Sequence, residues 1–361
     1  MLEHAYAVVL AGGYGERFWP ASTMRRPKQL LSLLGERTML EMAVDRLAGL
    51  IPPERVLVLT SADLVAATVE RSRDLPPGNV IGEPTRRDTA AAVALACAVV
   101  KARDPEGVFC VVTADHVMGD LEIFRQTLAE GLLVAAADDV LITIGITPTW
   151  PSTAFGYVEA GEPFEAPGDV VFRRVTRFVE KPDAQTAAGY LASGDFSWNS
   201  GMFIWSVNAL SDAFRIHAPA LAAMIDALVP DVDTDDFPAA IAAAFEPLEK
   251  ISIDYALMER ADNILMAEGI FAWGDVGSWP EVAEHLPTDE HGNACRGSVE
   301  SIDSTNNIVL SEGRLTALIG IEDLVIVHTD EVTLICPKSR AQDVKHLVTK
   351  LRAGGRWDSV L

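Results

Sequence analysis

Ala7-Val8-Val9-Leu10 is a short apolar run that stops at the turn Ala11-Gly12-Gly13-Tyr14-Gly15. An unbroken apolar run of this length reads as a parallel strand buried on both faces. Glycines directly after it let backbone N–H groups approach an anion with no Cβ in the way. A buried first strand feeding such a loop predicts an open α/β sheet that handles phosphate. The following pattern agrees: helical spacing over 38–50, strands at 55–60 and 80–81, a helix over 88–101, a central strand at 107–113, a helix over 121–137 and a strand at 140–146. Alternating strands and helices predict a doubly wound α/β layer.

The texture changes after Pro148. A strand is expected over 170–181, then alanine-rich helices over 209–244, broken at Pro230 and Pro238. The tail carries four short strand-like runs, 307–310, 315–320, 324–327 and 332–335, split by turns. They predict a small β unit, either a sheet or β-helix coils. Ala341, Val344, Leu347, Val348 and Leu351 make one apolar face of a terminal helix. The expected division is 1–286 for the main domain and 287–361 for the tail.

With a formal net charge of −23, the chain is a poor partner for nucleic acid or an anionic membrane. A phosphate site must then be a local island of cations. Arg17, Arg25, Arg26 and Lys28 form one such island, and Arg86 with Arg87 another. No apolar stretch is long enough to span a membrane, and the N-terminus lacks a secretory pattern. Four dispersed cysteines form neither a metal spacing nor a disulfide framework, so a cytoplasmic location is expected.

Two phosphate motifs are excluded at the first loop. There is no Gly-Lys-Ser/Thr for a Walker loop. A dinucleotide fingerprint needs a third glycine where Phe18 stands and an acid about 20 residues on, whereas the second strand begins only near Arg55. Arg17 can fork onto phosphate oxygens and Lys28 can supply a point charge. Asp115, just past the central strand, suits either a Mg²⁺ ligand or a helix cap. Asp275, between glycines, reads by itself as a solvated turn acid. Glu180-Lys181 reads by itself as a solvated pair on a strand.

The pattern from Leu10 through Trp19-Pro20 to Pro27-Lys28-Gln29 resembles the signature of sugar-phosphate nucleotidyltransferases. Its Trp-Pro and Pro-Lys-Gln form is similar to the mannose-1-phosphate guanylyltransferase branch. The resemblance runs from Val8 to Leu351. It implies a Rossmann-like doubly wound mixed sheet and a small C-terminal left-handed β-helix-like domain. It also implies that Leu10, Ala11, Gly12, Gly13 and Gly15 hold the nucleotide, with Arg17 and Lys28 on its phosphates and the leaving pyrophosphate. Arg86, Asp88 and Thr89 would face base and ribose; Asp88 stands where the branch is expected to carry Asn. Asp115 and Asp275 would share one Mg²⁺. Gly156, Glu180, Lys181, Asn199 and Ser200 would bind the sugar phosphate, with Lys181 on its phosphate. Asp254, in Ser252-Ile253-Asp254-Tyr255-Ala256-Leu257-Met258-Glu259, which also matches the branch's pattern, is expected to play a structural or supporting role, with a sugar-side role as the alternative.

The implied reaction joins GTP and mannose 1-phosphate to give GDP-mannose and pyrophosphate. The nucleophile is already an anion, so no general base is needed, and no Ser–His or Cys–His pairing is evident. Alternatives are a nucleotidyltransferase for glucose 1-phosphate or another base, and a regulatory paralogue that binds sugar nucleotide without catalysis. The resemblance also suggests a homodimer through the tail. An added isomerase domain is not expected, since the chain stops after the tail.

Overall fold

The computed structural model describes residues 2–361. The chain divides into two compact units, each discontinuous in sequence. The first comprises residues up to Gly12, Ala43–Thr113 and Met118–Trp273.

Its centre is a nine-stranded mixed sheet. The order is Val80–Glu83, Val56–Ser61, Ala5–Leu10, Val108–Thr113, Phe196–Ser206, Leu141–Ile146, Ile264–Gly269, Phe172–Val179 and Gly156–Phe164. The first four are mutually parallel. Phe196–Ser206 runs antiparallel to Val108–Thr113 and Leu141–Ile146, and its first residues also pair antiparallel with Gly156–Phe164. Strands expected at 55–60, 80–81, 107–113, 140–146 and 170–181 are present, and the helix Leu121–Ala137 has the expected bounds. Gly156–Phe164, Phe196–Ser206 and Ile264–Gly269 are strands beyond those expected.

Helix Thr89–Arg103 carries this unit's core. Every residue from Ala90 to Val100 is buried, so the helix is apolar on all sides. Its alanines let the Val207–His217 and Pro219–Leu228 helices pack closely on it. Asp88 caps its start by accepting from Thr89 N at 2.9 Å. At the other end Arg103 forks onto Asp233 at 2.6 and 2.9 Å and donates to Asn79 Oδ1 at 2.9 Å. Of the two prolines expected to break the alanine-rich helices, Pro230 lies in the break after helix Pro219–Leu228, whereas Pro238 does not interrupt a helix. Pro238 lies in the first turn of helix Phe237–Phe245, where a missing N–H costs nothing, and Pro230 sits in the short 3₁₀ turn Val229–Asp231.

The second unit is Gly13–Met42, Ala114–Val117 and Gly274–Leu361. A cut at residue 287 would leave parts of it behind. Phe18, Trp19, Leu31, Leu33, Val276 and Trp279 bury themselves in one core with tail residues Ile308, Leu310, Val325, Val327, Val344 and Val348. Trp19 Nε1 also donates to Val360 O at 2.8 Å. Shared apolar burial therefore binds these loops to the tail.

The tail sheet orders Ala294–Ile302, Ile308–Ile319, Leu324–His328 and Thr333–Pro337, the first three parallel and the last antiparallel. The runs expected at 307–310 and 315–320 are one strand, and Ala294–Ile302 is additional. At Gly297, with φ +100°, an added Cβ would lie 1.9 Å from Ser311 O, so glycine is required where the register shifts. Successive parallel coils are stitched by buried asparagines. Asn307 Oδ1 accepts from Leu324 N at 3.0 Å, while its Nδ2 donates to Asn293 Oδ1 at 2.9 Å and Ile321 O at 3.1 Å. Asn307→Ala strands these buried groups and should lower unfolding free energy by roughly 2–4 kcal/mol in urea titrations. A loss under about 1 kcal/mol would contradict the stitching role.

Candidate active site

In the second unit the glycine loop shapes a seat for Lys28. Gly15 has φ +65°, and a Cβ there would fall 2.3 Å from Lys28 Cβ. Only glycine lets the chain turn so close to the lysine. Ser22 Oγ donates to Gly15 O at 2.5 Å, and Lys28 N donates to Tyr14 O at 3.3 Å, which fixes the turn. Lys28 is 4 % exposed. An ammonium so buried must be paired. Its Nζ donates to Asp115 Oδ2 at 3.0 Å and to Asp275 O at 2.9 Å, and lies 5.3 Å from the centre of the Phe18 ring. Three residues singled out from distant parts of the sequence thus meet at one cation.

Their charges are unequal in effect. Burial opposes ionisation of Asp115, but Lys28, joined by His116, outweighs it and holds the carboxyl below its ordinary value. Asp275 goes the other way: burial and the Glu281 charge push it up to about 6, Asp115 adds to that, and Lys28 and Arg17 oppose it. Glu281 Oε2 accepts from Ser278 Oγ at 2.9 Å and lies 3.4 Å from the Cβ position of Gly277, beside the Asp275 carboxylate. The cluster has more carboxylates than cations and would gain from a divalent ion. Among the described residues no three Asp, Glu, His or Cys side chains gather as a metal cage. Two carboxylates suit Mg²⁺, which commonly completes its shell with water and substrate phosphates. Arg17, in the 3₁₀ turn Glu16–Phe18, is exposed.

In the first unit Gly156, Glu180, Lys181 and Asn199 come together. Gly156 and Asn199 are paired across adjacent strands, and a Cβ on Gly156 would meet Glu180 Oε2 at 2.4 Å and Asn199 Cβ at 3.3 Å. Lys181, with φ +47°, closes back so that its Nζ lies 2.5 Å from Glu180 Oε1. Partial burial would lower the Lys181 ammonium, yet the Glu180 carboxylate reverses this and holds it above its ordinary value. Asn199 Nδ2 donates to Asp254 Oδ1 at 2.9 Å, and Asn199 Oδ1 accepts from Thr143 Oγ1 at 3.0 Å. Asp254 is pushed up to about 6 by burial and by Glu180. Ser200 turns into the sheet: its hydroxyl donates to Ile144 O at 2.8 Å and accepts from Met202 N at 3.3 Å.

Residues 6–291 match the nucleotidyl transferase family, and residues 297–351 match the mannoseP isomerase/GMP-like beta-helix domain. The chain belongs to the nucleotidyl transferase family. It is 36 % identical over 358 residues to the mannose-1-phosphate guanylyltransferase of Escherichia coli K12, covering 98 % of this chain and 74 % of the relative. Identity to the mannose-1-phosphate guanylyltransferase ManC of Salmonella typhimurium LT2 is 37 % over 361 residues, with the same coverage. A crystal structure from Thermus thermophilus, named there a "mannose-1-phosphate geranyltransferase", superposes with a TM-score of 0.85 at 34 % identity, over 97 % of this chain and 99 % of that one. These relatives place the chain in the mannose-1-phosphate guanylyltransferase branch of the family.

The nucleotidyl transferase segment after strand Val80–Glu83 is organised as follows. Arg86 Nη2 donates to Gly12 O at 3.1 Å, tying this segment to the residue after Leu10-Ala11. Asp88 spends one oxygen on its helix cap, and Thr89 Oγ1 accepts from Ile253 N at 2.9 Å. Arg87 donates to Phe245 O and Glu246 O at 3.1 and 2.8 Å, a structural clasp. Glu83 is the residue that motif reading left without a role. Its Oε1 comes within 3.6 Å of the Cβ position of Gly12. Burial pushes its carboxyl up to about 7 despite Arg86, and Asp88 adds to the rise. Its one sequence signal is its place at the end of a parallel strand, where α/β sheets bind ligands. Glu259, just after a turn, and Glu281, in the short helix Trp279–Ala283, carry no assigned role in the sequence reading, because surface acids are usually solvated.

The raised Asp275 carboxyl sets a pH dependence. The folded state binds its proton more tightly than the unfolded chain, whose value is near 3.8, so stability falls as pH rises from about 4 through about 6. In metal-free buffer, Asp275→Asn should melt above the parent at pH 7, with the gap closing toward pH 4. A gap independent of pH would contradict this electrostatic picture.

Proposed function

We propose that this chain transfers GMP from GTP to α-D-mannose 1-phosphate, releasing pyrophosphate and forming GDP-mannose. The observation that carries the reading is the buried Lys28 ammonium, gripped by Asp115 and the Asp275 carbonyl beneath the glycine turn. A reaction whose nucleophile is already a phosphate anion needs no general base from that cluster. The cluster supplies a fixed cation and carboxylates, the requirements of a reaction between anions.

An oxygen of the sugar phosphate attacks the α-phosphorus in line; the bond from that phosphorus to the bridging oxygen breaks, and pyrophosphate leaves with the electron pair. Lys28 and Arg17 stabilise charge on the triphosphate and the leaving group. Asp115 and Asp275 would hold Mg²⁺, which when bound neutralises phosphate charge and aids alignment. Lys181 binds the phosphate of the sugar, and Glu180 and Asn199 accept from and donate to its hydroxyls. Prior alignment of the two substrates supplies much of the rate.

Guanine offers two adjacent donors, N1–H and N2–H. When ionised, Glu83 offers two acceptor oxygens on a half-buried carboxyl, with no hydrogen-bond partner among the described residues, whereas Asp88 is engaged at its cap. Glu83 is therefore the better reader of the base. A cytoplasmic setting suits the unpaired thiols of Cys97 and Cys110, and a homodimer is carried by family resemblance alone.

The deciding experiment measures pyrophosphate release over a panel of nucleoside triphosphates and sugar 1-phosphates. GTP with mannose 1-phosphate should give the highest kcat/KM; a higher value for glucose 1-phosphate or another base would overturn the assignment. In the same panel, inosine triphosphate lacks the N2 amine and should be roughly tenfold or more poorer than GTP. Glu83→Gln should erase most of that preference, and an unchanged GTP-to-ITP ratio would remove Glu83 from base reading.

A further inference from the structure

The segment Ser252-Ile253-Asp254-Tyr255-Ala256-Leu257-Met258-Glu259 touches the sugar-side group at two separate points. Asp254 Oδ1 accepts from Asn199 Nδ2 at 2.9 Å. Glu259 Oε1 accepts from Glu180 N at 3.0 Å. These acids are five residues apart, a spacing that an α-helix places on different faces, since its same-face neighbours are three and four apart. Here residues Asp254–Met258 form a π-helical turn, closed by Glu259 N donating to Asp254 O at 2.9 Å. The wider i→i+5 turn brings the fifth residue round to the first, and such turns recur at functional sites.

The turn is held from behind. Ile253 N donates to Thr89 Oγ1 at 2.9 Å, and Ile251 N and O bond to Arg87 O and Ala90 N at 3.2 and 3.3 Å. Ala256, Leu257 and Met258 are buried in the core of the unit. What it holds is fixed on one side by other contacts and on the other by the turn. Asn199 Oδ1 already accepts from Thr143 Oγ1 and Gly201 N, at 3.0 and 3.1 Å. With Asp254 taking one Nδ2 hydrogen, the carboxamide has one orientation and one donor left for a ligand. Glu180 lies where Lys181 has a left-handed backbone, so its main chain also needs an anchor.

We propose that this π-turn is a clamp, in which Asp254 and Glu259 act as positioning residues that set the spacing of Asn199 and Glu180 for the sugar 1-phosphate. The inference rests on the sugar-side reading above. Ligand and clamp do not compete: the clamp binds the amide and the backbone, leaving the Glu180 carboxylate and one Asn199 N–H to the sugar.

The test is steady-state kinetics of the full chain with GTP and mannose 1-phosphate, varied separately. Asp254→Ala should raise KM for mannose 1-phosphate about tenfold or more and leave KM for GTP within about twofold. Asp254→Asn keeps an acceptor for Asn199 and should return that KM to within about threefold of the parent. Glu259→Ala, at an exposed position that folding tolerates, should give the same split at about threefold. Lys181→Ala is the control for the underlying reading. If Lys181→Ala raises the sugar-phosphate KM but neither clamp variant does, the clamp alone is refuted. Impairment of Asp254→Asn equal to that of Asp254→Ala would also refute it, by assigning Asp254 a direct charge contact. If Lys181→Ala leaves that KM unmoved, the sugar-side reading fails and the clamp's purpose falls with it.

Discussion

The arrangement of the phosphate side depends on one buried ammonium. Lys28 could not stay buried without partners, because an isolated charge in a protein interior is unstable by several kcal/mol or more. Its needs explain its surroundings. Gly15 must lack a Cβ for the loop to pass over the lysine stem. Asp115 must be ionised, and is held so by Lys28 itself. The Asp275 carbonyl takes a second hydrogen, which fixes the backbone that presents the Asp275 carboxylate. The surrounding apolar core of Phe18, Trp279 and the tail strands keeps this geometry rigid, with Phe18 and Trp279 edge to face at 5.2 Å. The tail thus has a direct part in shaping the glycine loop.

A related logic governs the sugar side, with carboxylates in the controlling role. Burial, with the nearby Glu180 carboxylate adding to it, raises Asp254 to about 6, and the Lys181 ammonium opposes the rise while pairing with Glu180. Such a group is poised to accept from hydroxyl donors. The hydrogen bonds that Asn199 makes to Thr143, Gly201 and Asp254 show how few of its atoms are free to adapt. Pre-organisation of this kind places the cost of ordering in folding, before substrate arrives.

Much of this was legible in the sequence, for reasons specific to each element. Ala5–Leu10 and Val108–Thr113 are parallel strands covered on both faces, so they read as continuous apolar runs. Leu121–Ala137 has an unambiguous helical period. Phe196–Ser206 was hidden because Asn199-Ser200-Gly201 interrupts its apolar pattern with residues typical of turns. Gly156–Phe164 is half exposed and contains two glycines, two acids and a proline. Ile264–Gly269 is short and rich in residues equally at home in helices. In the site, Lys28, Asp115, Asp275, Glu180 and Lys181 stood out through motif context. Glu83 and Glu259 did not, since only burial or a π-turn separates them from ordinary solvated acids. Nor could the sequence show that residues 13–42 share a core with the tail, because a shared core is a property of tertiary packing.

The central claim is direct transfer between two anions, with no residue of the chain bonded to the nucleotide along the way. The most direct test uses GTP made chiral at the α-phosphorus by a sulfur substitution, with mannose 1-phosphate as acceptor. One in-line displacement predicts inversion of configuration at that phosphorus in the sugar nucleotide product. Retention would require two displacements through a covalent enzyme intermediate and would contradict the account.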